Sequence, residues 1–214
     1  MGDGAGEGLS APRFVHLRVH SAYSLLEGAL PLGKIIKQAV ADEAPAIAVT
    51  DTNNLFGALE FAQKASKEGL QPIIGCQIDV AFGDHVENGR NVNRKLALDL
   101  ASLVLLAATE EGYANMVRLV SRAFLATPPG DPIHIEAGWL PECSKDVIVL
   151  SGGPFGPIGR ALAADRPDRA EARLDFLKKS FGDRLYVELQ RHAGYDRALF
   201  FSSRRRHTRF DCDW

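Results

Sequence analysis

The sequence predicts an α/β protein in which β-strands alternate with amphipathic helices. Short apolar runs such as 46–49 (AIAV) have the continuous hydrophobic character of strands that are buried on both faces. Between such runs lie segments with apolar residues at helical spacing, as in 32–40 (LGKIIKQAV). Because strand and helix patterns alternate about five times, we expect parallel βαβ units.

Periodicity and turn signals place each element in order. Predicted strands occupy 14–19, 46–51, 71–80, about 103–107, 147–150 and 185–189. Predicted helices occupy 32–40, a segment from a cap at Asn53 or Asn54 to about Glu68, about 112–125, and 167–181. The apolar stripes predict the inward residues of the second and third helices, namely Leu55, Leu59, Ala62 and Ala65 or Ser66, and then Tyr113, Met116, Val117, Val120 and Phe124.

Composition excludes several classes of protein. The 214 residues are 46% hydrophobic and 24% charged, which is ordinary for a globular domain, and the net charge of −2 gives no electrostatic footprint for nucleic acid. No apolar run reaches the roughly 18 residues that span a membrane. The acidic, glycine-rich residues 1–12 form neither a signal nor a transit peptide, so we expect a flexible leader and a cytoplasmic protein.

Three cysteines, Cys76, Cys143 and Cys212, are too sparse for a disulfide framework or a zinc ribbon. Such a small number of cysteines is typical of proteins from a reducing compartment. Cys76 lies in a predicted strand and is expected to be a small buried hydrophobic residue.

Polar side chains gather at one end of the predicted strands. His16, Arg18 and His20 alternate along an extended segment, so their side chains share a face. Asp51 follows the next strand of the same βαβ unit, which brings it close to His20. Two other candidates are weaker: His85 lies in a polar loop at 83–94, and the glycine-rich residues 151–159 favour a tight turn over a phosphate cradle.

The long blocks HLRVHSAYSLLEGALPL, PAIAVTDTNNLFGALEF, PIIGCQIDV, VIVLSGG and RLYVELQRH occur in the order found in the PHP (polymerase and histidinol phosphatase) domain. The similarity runs from about residue 13 to about 199 and resembles most the form found in the alpha subunits of bacterial replicative, C-family DNA polymerases (DNA polymerase III). The resemblance implies a distorted (β/α)7 barrel over 13–200, incomplete at its C-terminus. Residues 201–214 depart from the pattern and resemble translated sequencing-adapter sequence, which predicts a non-native tail.

Active PHP domains bind two or three metal ions through seven positions that can be carried onto this chain. The HxH motif falls on Arg18 and His20, the Asp-His pair on Asp51 and Thr52, and the later Glu, His and Cys on Gln77, Ser102 and Gly153. Only His20 and Asp51 keep a metal-binding side chain, and His16 lies outside the set. A guanidinium has no lone pair for a metal. We therefore expect a vestigial pocket without catalytic residues, metal or cofactor, in which Arg18 pairs with Asp51.

The resemblance also implies a function for the longer parent protein. That protein would be a DNA polymerase that uses Mg²⁺ in a palm domain. The PHP domain would bind the proofreading exonuclease subunit and the remaining polymerase domains. Only the full-length parent would contact DNA, and no membrane would be involved. Two alternatives stay open: an active metal-dependent PHP phosphoesterase, and the related error-prone translesion polymerase.

Overall fold

The computed structural model describes residues 14–83 and 98–189, which form a mixed sheet with helices packed against it. The strands are β1 (Ala46–Thr52), β2 (Gln71–Ala81), β3 (Ala101–Ala107), β4 (Ile135–Glu136), β5 (Val147–Leu150) and β6 (Leu185–Tyr186). Their order is β1-β2-β3-β5-β6, and β4 pairs with the end of β2. The predicted α/β class is confirmed. The predictions for the 1–12 leader, His85, Cys212 and the 201–214 tail lie outside the described residues.

The parallel pairing expected of βαβ units is confirmed for two strand pairs but fails at β3. Strands β1 and β2 are parallel, as are β5 and β6, but β3 runs antiparallel to both β2 and β5. The apolar runs indicated burial, and β3 is indeed covered on both faces, with Leu103 and Leu105 in one core cluster and Val104 and Leu106 in another. Burial on two faces says nothing about strand direction, so the pattern could not exclude an antiparallel neighbour.

The helices are α1 (Leu32–Ala41), α2 (Ala58–Lys67), α3 (Glu110–Ala126), α4 (Pro157–Ala163) and α5 (Pro167–Phe181). Helix α1 buries Leu32, Ile35, Ile36 and Ala39 against β1 and α2, as its spacing predicted, whereas Val40 at the edge of that stripe is exposed. The 167–181 helix and the 147–150 strand also occur as predicted. Helix α4 and strand β4 have no counterpart in the prediction.

The predicted inward face of α2 is only partly correct: Ala65 is buried and Leu55 packs against the core, but the stripe is displaced. Ala58, Phe61 and Ala65 are buried, whereas Leu59 is 70% exposed. The helix begins later than the asparagines suggested, because the Asn54 side chain is engaged elsewhere. Its amide nitrogen donates to the carbonyls of Tyr23 and Thr52, and its oxygen accepts from the Phe56 N–H. The Asn54 side chain thus closes a local turn, and the helix begins after that turn, at Ala58.

The predicted inward face of α3 is also only partly correct: Met116 is buried and Val120 packs against the core, but the buried face is rotated from the predicted one. It buries Gly112, Asn115, Met116, Leu119 and Ala123, while Tyr113, Val117 and Phe124 are between 38% and 47% exposed. At its first turn the helix packs closely against the backbone of Asp146. A Cβ on Gly112 would lie 2.0 Å from the carbonyl oxygen of Asp146, so only glycine permits this approach.

The segments at the two ends of the described chain are less regular than predicted. Residues 14–19 form only an isolated parallel bridge from His16 to Ile47, supported by backbone hydrogen bonds to Ala48 and Thr50. Strand β6 is limited to Leu185–Tyr186. The expected tight turn after β5 is confirmed, since Gly152 and Gly153 both have positive φ.

No helix within residues 14–83 and 98–189 is both long enough and apolar enough to cross a membrane.

Candidate functional site: a strand-end pocket

The sheet brings the polar positions together at one end. Thr52 at the end of β1 is in register with Gln77 of β2, and Ser102 at the start of the antiparallel β3 is in register with Asp79. We call the cluster of Arg18, His20, Thr52, Gln77 and Glu188 at this end the strand-end pocket. Each of these side chains contacts at least one other member of the cluster.

Arg18 is the centre of the strand-end pocket. Its Nε and Nη2 donate to Oε1 of Gln77 at 3.1 and 2.6 Å, and its Nη1 donates to Oε1 of Glu188 at 2.9 Å. Nη1 also lies 3.5 Å from the carbonyl oxygen of Gly152. A guanidinium presents its N–H groups in a rigid planar fork, so it can engage several acceptors in different directions at once.

Gln77 is held in a single amide orientation. Arg18 can only donate hydrogen bonds, so the atom facing it must be the amide oxygen, and the amide nitrogen then donates to the Thr52 hydroxyl at 3.3 Å. The same oxygen lies 3.2 Å from Nε2 of His20. Gln77 is only 7% exposed, so these contacts satisfy its polar atoms in a largely buried position.

A second carboxylate, Glu27, closes the pocket on the side of His20. The Thr52 hydroxyl donates to Oε2 of Glu27, and Nδ1 of His20 lies 3.3 Å from the same oxygen. His20, Gln77, Thr52 and Glu27 thus form a ring of polar contacts beside Arg18. Glu27 belongs to the loop between the first segment and α1, so the ring also holds that loop over the end of β1.

The predicted pairing of Arg18 with Asp51 is wrong. The Asp51 carboxylate, which is 2% exposed, accepts from the Ser21 N–H at 2.7 Å, the Ser21 hydroxyl at 2.7 Å and the Ser24 hydroxyl at 2.6 Å. Ser24 in turn accepts from the Thr52 N–H. Three neutral donors take the place that Arg18 was expected to fill, and Asp51 anchors the 21–28 loop. His20 and Asp51 are neighbours, as expected, through the adjacent Ser21.

Ser102 and Gly153 serve other contacts. The Ser102 hydroxyl donates to Oδ1 of Asp79 at 2.8 Å, and Asn53 contacts the other oxygen of the same carboxylate. Gly153 lies in the turn after β5, but the carbonyl that approaches Arg18 belongs to Gly152. His16 lies against the Phe14 ring, with ring centroids 4.7 Å apart, and so outside the pocket as expected.

The residues that sequence reasoning missed are Glu27, Glu188, Ser21 and Ser24. Glu188 lies 170 positions from Arg18 along the chain, and its N–H donates to the Ser151 hydroxyl, which places it beside the pocket. A signal did exist: an arginine in a partly buried pocket needs a carboxylate. That rule does not say which of the 27 acidic residues supplies it.

The side chains present do not fit a cluster of two or three metal ions. Arg18 occupies the pocket as a donor, the Gln77 oxygen already faces that guanidinium, and the Asp51 oxygens accept from serine groups. Metal centres require several free oxygen, nitrogen or sulfur donors that converge on one point. In the described part of the chain, no three His, Cys, Asp or Glu side chains form such a group.

The fold and pocket define an α/β domain with a polar strand-end pocket that has an arginine at its centre. A comparison with protein-family models matches residues 16–192 to the PHP domain. The chain therefore belongs to the PHP domain family, as the sequence motifs predicted.

The similar curated proteins are much longer than this chain. It is 43% identical over 192 residues to the DNA polymerase III subunit alpha of Caulobacter vibrioides, covering 90% of this chain and 16% of that protein. The subunit of the same name from Buchnera aphidicola is 39% identical over 184 residues, with 86% and 15% covered. That of Thermus aquaticus is 40% identical over 182 residues, with 84% and 15% covered. The chain thus spans about 15% of the length of these relatives.

Proposed function

We propose that this chain is the PHP domain of a bacterial DNA polymerase III alpha subunit. The support is 39–43% identity to named alpha subunits over most of the chain. Under this proposal the parent protein synthesises DNA on a template with Mg²⁺, through carboxylates that lie outside the matched region. The domain itself needs no cofactor.

Within that parent, the domain acts as a structural and docking module and not as a phosphoesterase. The observation that carries this proposal is the position of the Arg18 guanidinium between Gln77 and Glu188. A permanently charged group at the centre of the pocket repels divalent cations and gives them no lone pair. Hydrolysis of a phosphoester by this family depends on a water molecule that a bound metal ion activates. A pocket occupied by the Arg18 guanidinium would lack that activated water.

The partners that follow from this proposal are the proofreading exonuclease subunit and the other domains of the polymerase. A domain that has exchanged its metal ions for a hydrogen-bonded network keeps a rigid surface, because the network joins the first segment, β1, β2 and the segment after β6. Such a surface can bind another subunit without any chemistry of its own.

A phosphoesterase assay separates this proposal from the active-enzyme alternative. The purified chain is incubated with bis(p-nitrophenyl) phosphate, and separately with DNA carrying a labelled 3′ end, in the presence of Mg²⁺, Mn²⁺ or Zn²⁺. We expect no turnover above that of the His20→Ala variant prepared in parallel. Turnover that His20→Ala or Asp51→Asn abolishes would establish a phosphoesterase and overturn the non-catalytic role.

A binding assay tests the docking role. The proofreading exonuclease subunit from the same bacterium is immobilised, and binding of the chain is measured by biolayer interferometry, with the full-length alpha subunit as the positive control. We expect saturable binding that Lys64→Ala, an exposed change on α2, leaves intact. A folded chain that fails to bind where full-length alpha binds would place the docking surface outside this domain.

Sequencing the complete gene distinguishes the replicative parent from the translesion polymerase.

A further inference from the structure

We draw no further inference here: the strongest candidate, the half-exposed apolar stripe that Tyr113, Val117 and Phe124 form along helix α3, is an unpartnered helix face, and nothing in the structure shows what covers it.

Discussion

Nη1 of Arg18 lies 2.9 Å from Oε1 of Glu188, and this ion pair joins two segments that are 170 positions apart in the chain. The two side chains are only 19% and 12% exposed. Exposed ion pairs contribute about 0–1 kcal/mol, whereas removal of one partner from a buried pair costs about 3–5 kcal/mol. Arg18 and Glu188 lie between these limits and closer to the buried one.

Arg18→Ala should lower the free energy of unfolding by about 1–3 kcal/mol, because Gln77 and Glu188 each lose a charged hydrogen-bond partner in a shielded pocket. Glu188→Ala should have an effect of similar size. The double variant should be clearly less destabilised than the sum of the two, since either change alone breaks the same contact. Urea denaturation followed by circular dichroism measures all three values.

Lys64→Ala provides the matched control for this cycle. Lys64 also forms an ion pair, with Glu60 at 2.6 Å, but both side chains are more than 40% exposed. We expect its removal to leave the unfolding midpoint nearly unchanged. Equal effects of Arg18→Ala and Lys64→Ala, or strictly additive Arg18 and Glu188 variants, would show that the pocket contact does not stabilise the fold.

Asp51 should contribute to stability independently of Arg18. Asp51→Ala leaves the Ser21 N–H and the Ser21 and Ser24 hydroxyls without their acceptor in a buried position, and each such group costs about 1–3 kcal/mol. Asp51→Asn keeps an oxygen acceptor and should be milder. A double-mutant cycle of Arg18→Ala with Asp51→Ala should show weaker coupling than the Arg18–Glu188 cycle. Coupling as strong as that of Arg18 with Glu188 would restore the direct pairing that the structure excludes.

The contacts of Arg18 and Asp51 show which features of the site could be predicted from the sequence and which could not. The order of apolar runs predicted the end of the sheet at which Arg18 and His20 lie, and the family resemblance added Thr52 and Gln77. These four side chains do meet there. The hydrogen-bond partners of Arg18 and Asp51 could not be predicted from the sequence. Ser21 and Ser24 take Asp51 because the loop turns back over β1, and Glu188 reaches Arg18 because β6 pairs with β5. Both depend on tertiary geometry that local patterns do not encode.

The buried faces of the helices were likewise only partly predictable from the sequence. The spacing of apolar residues predicted α1 correctly, because one of its faces is strongly apolar. In α2 and α3 two apolar faces compete, and periodicity does not decide between them. Phe61 is fully buried beside α1 and β1, and Gly112 contacts the backbone of Asp146. A prediction from periodicity alone chose the faces that contain Leu59 and Phe124, which are exposed.

Cys76 should be nearly inert in the folded protein. Its side chain is fully buried in β2, as the sequence predicted, and burial raises the pKa of its thiol to about 12. At pH 8 almost all of this thiol would therefore stay in the unreactive protonated form, even if reagent could enter. Cys143 is partly exposed and should react with iodoacetamide before Cys76, as read by mass spectrometry of tryptic peptides. Native labelling of Cys76 as fast as that of Cys143 would show that β2 is not packed as described.

The β6 side of the sheet should promote aggregation. Directly after β6, the described residues Val187 and Leu189 are 67% and 91% exposed. Sheet edges that carry exposed apolar residues tend to pair with other chains. Val187→Lys should therefore reduce light scattering at high protein concentration without changing the unfolding midpoint. Leu59→Lys adds the same charge on the surface of α2 and serves as the control. Equal suppression by both variants would indicate a general effect of charge.

We infer that protein groups fill the strand-end pocket in place of metal ions. The most direct test is elemental analysis of the untagged chain, dialysed after incubation with Zn²⁺ and Mn²⁺, alongside the Arg18→His variant. Arg18→His alone should not rebuild a site, because Thr52, Gln77, Ser102 and Gly153 still stand at the other replaced positions. We expect far less than one equivalent of metal per chain in both proteins. One or more equivalents retained by the unaltered chain would show that the pocket still binds metal ions.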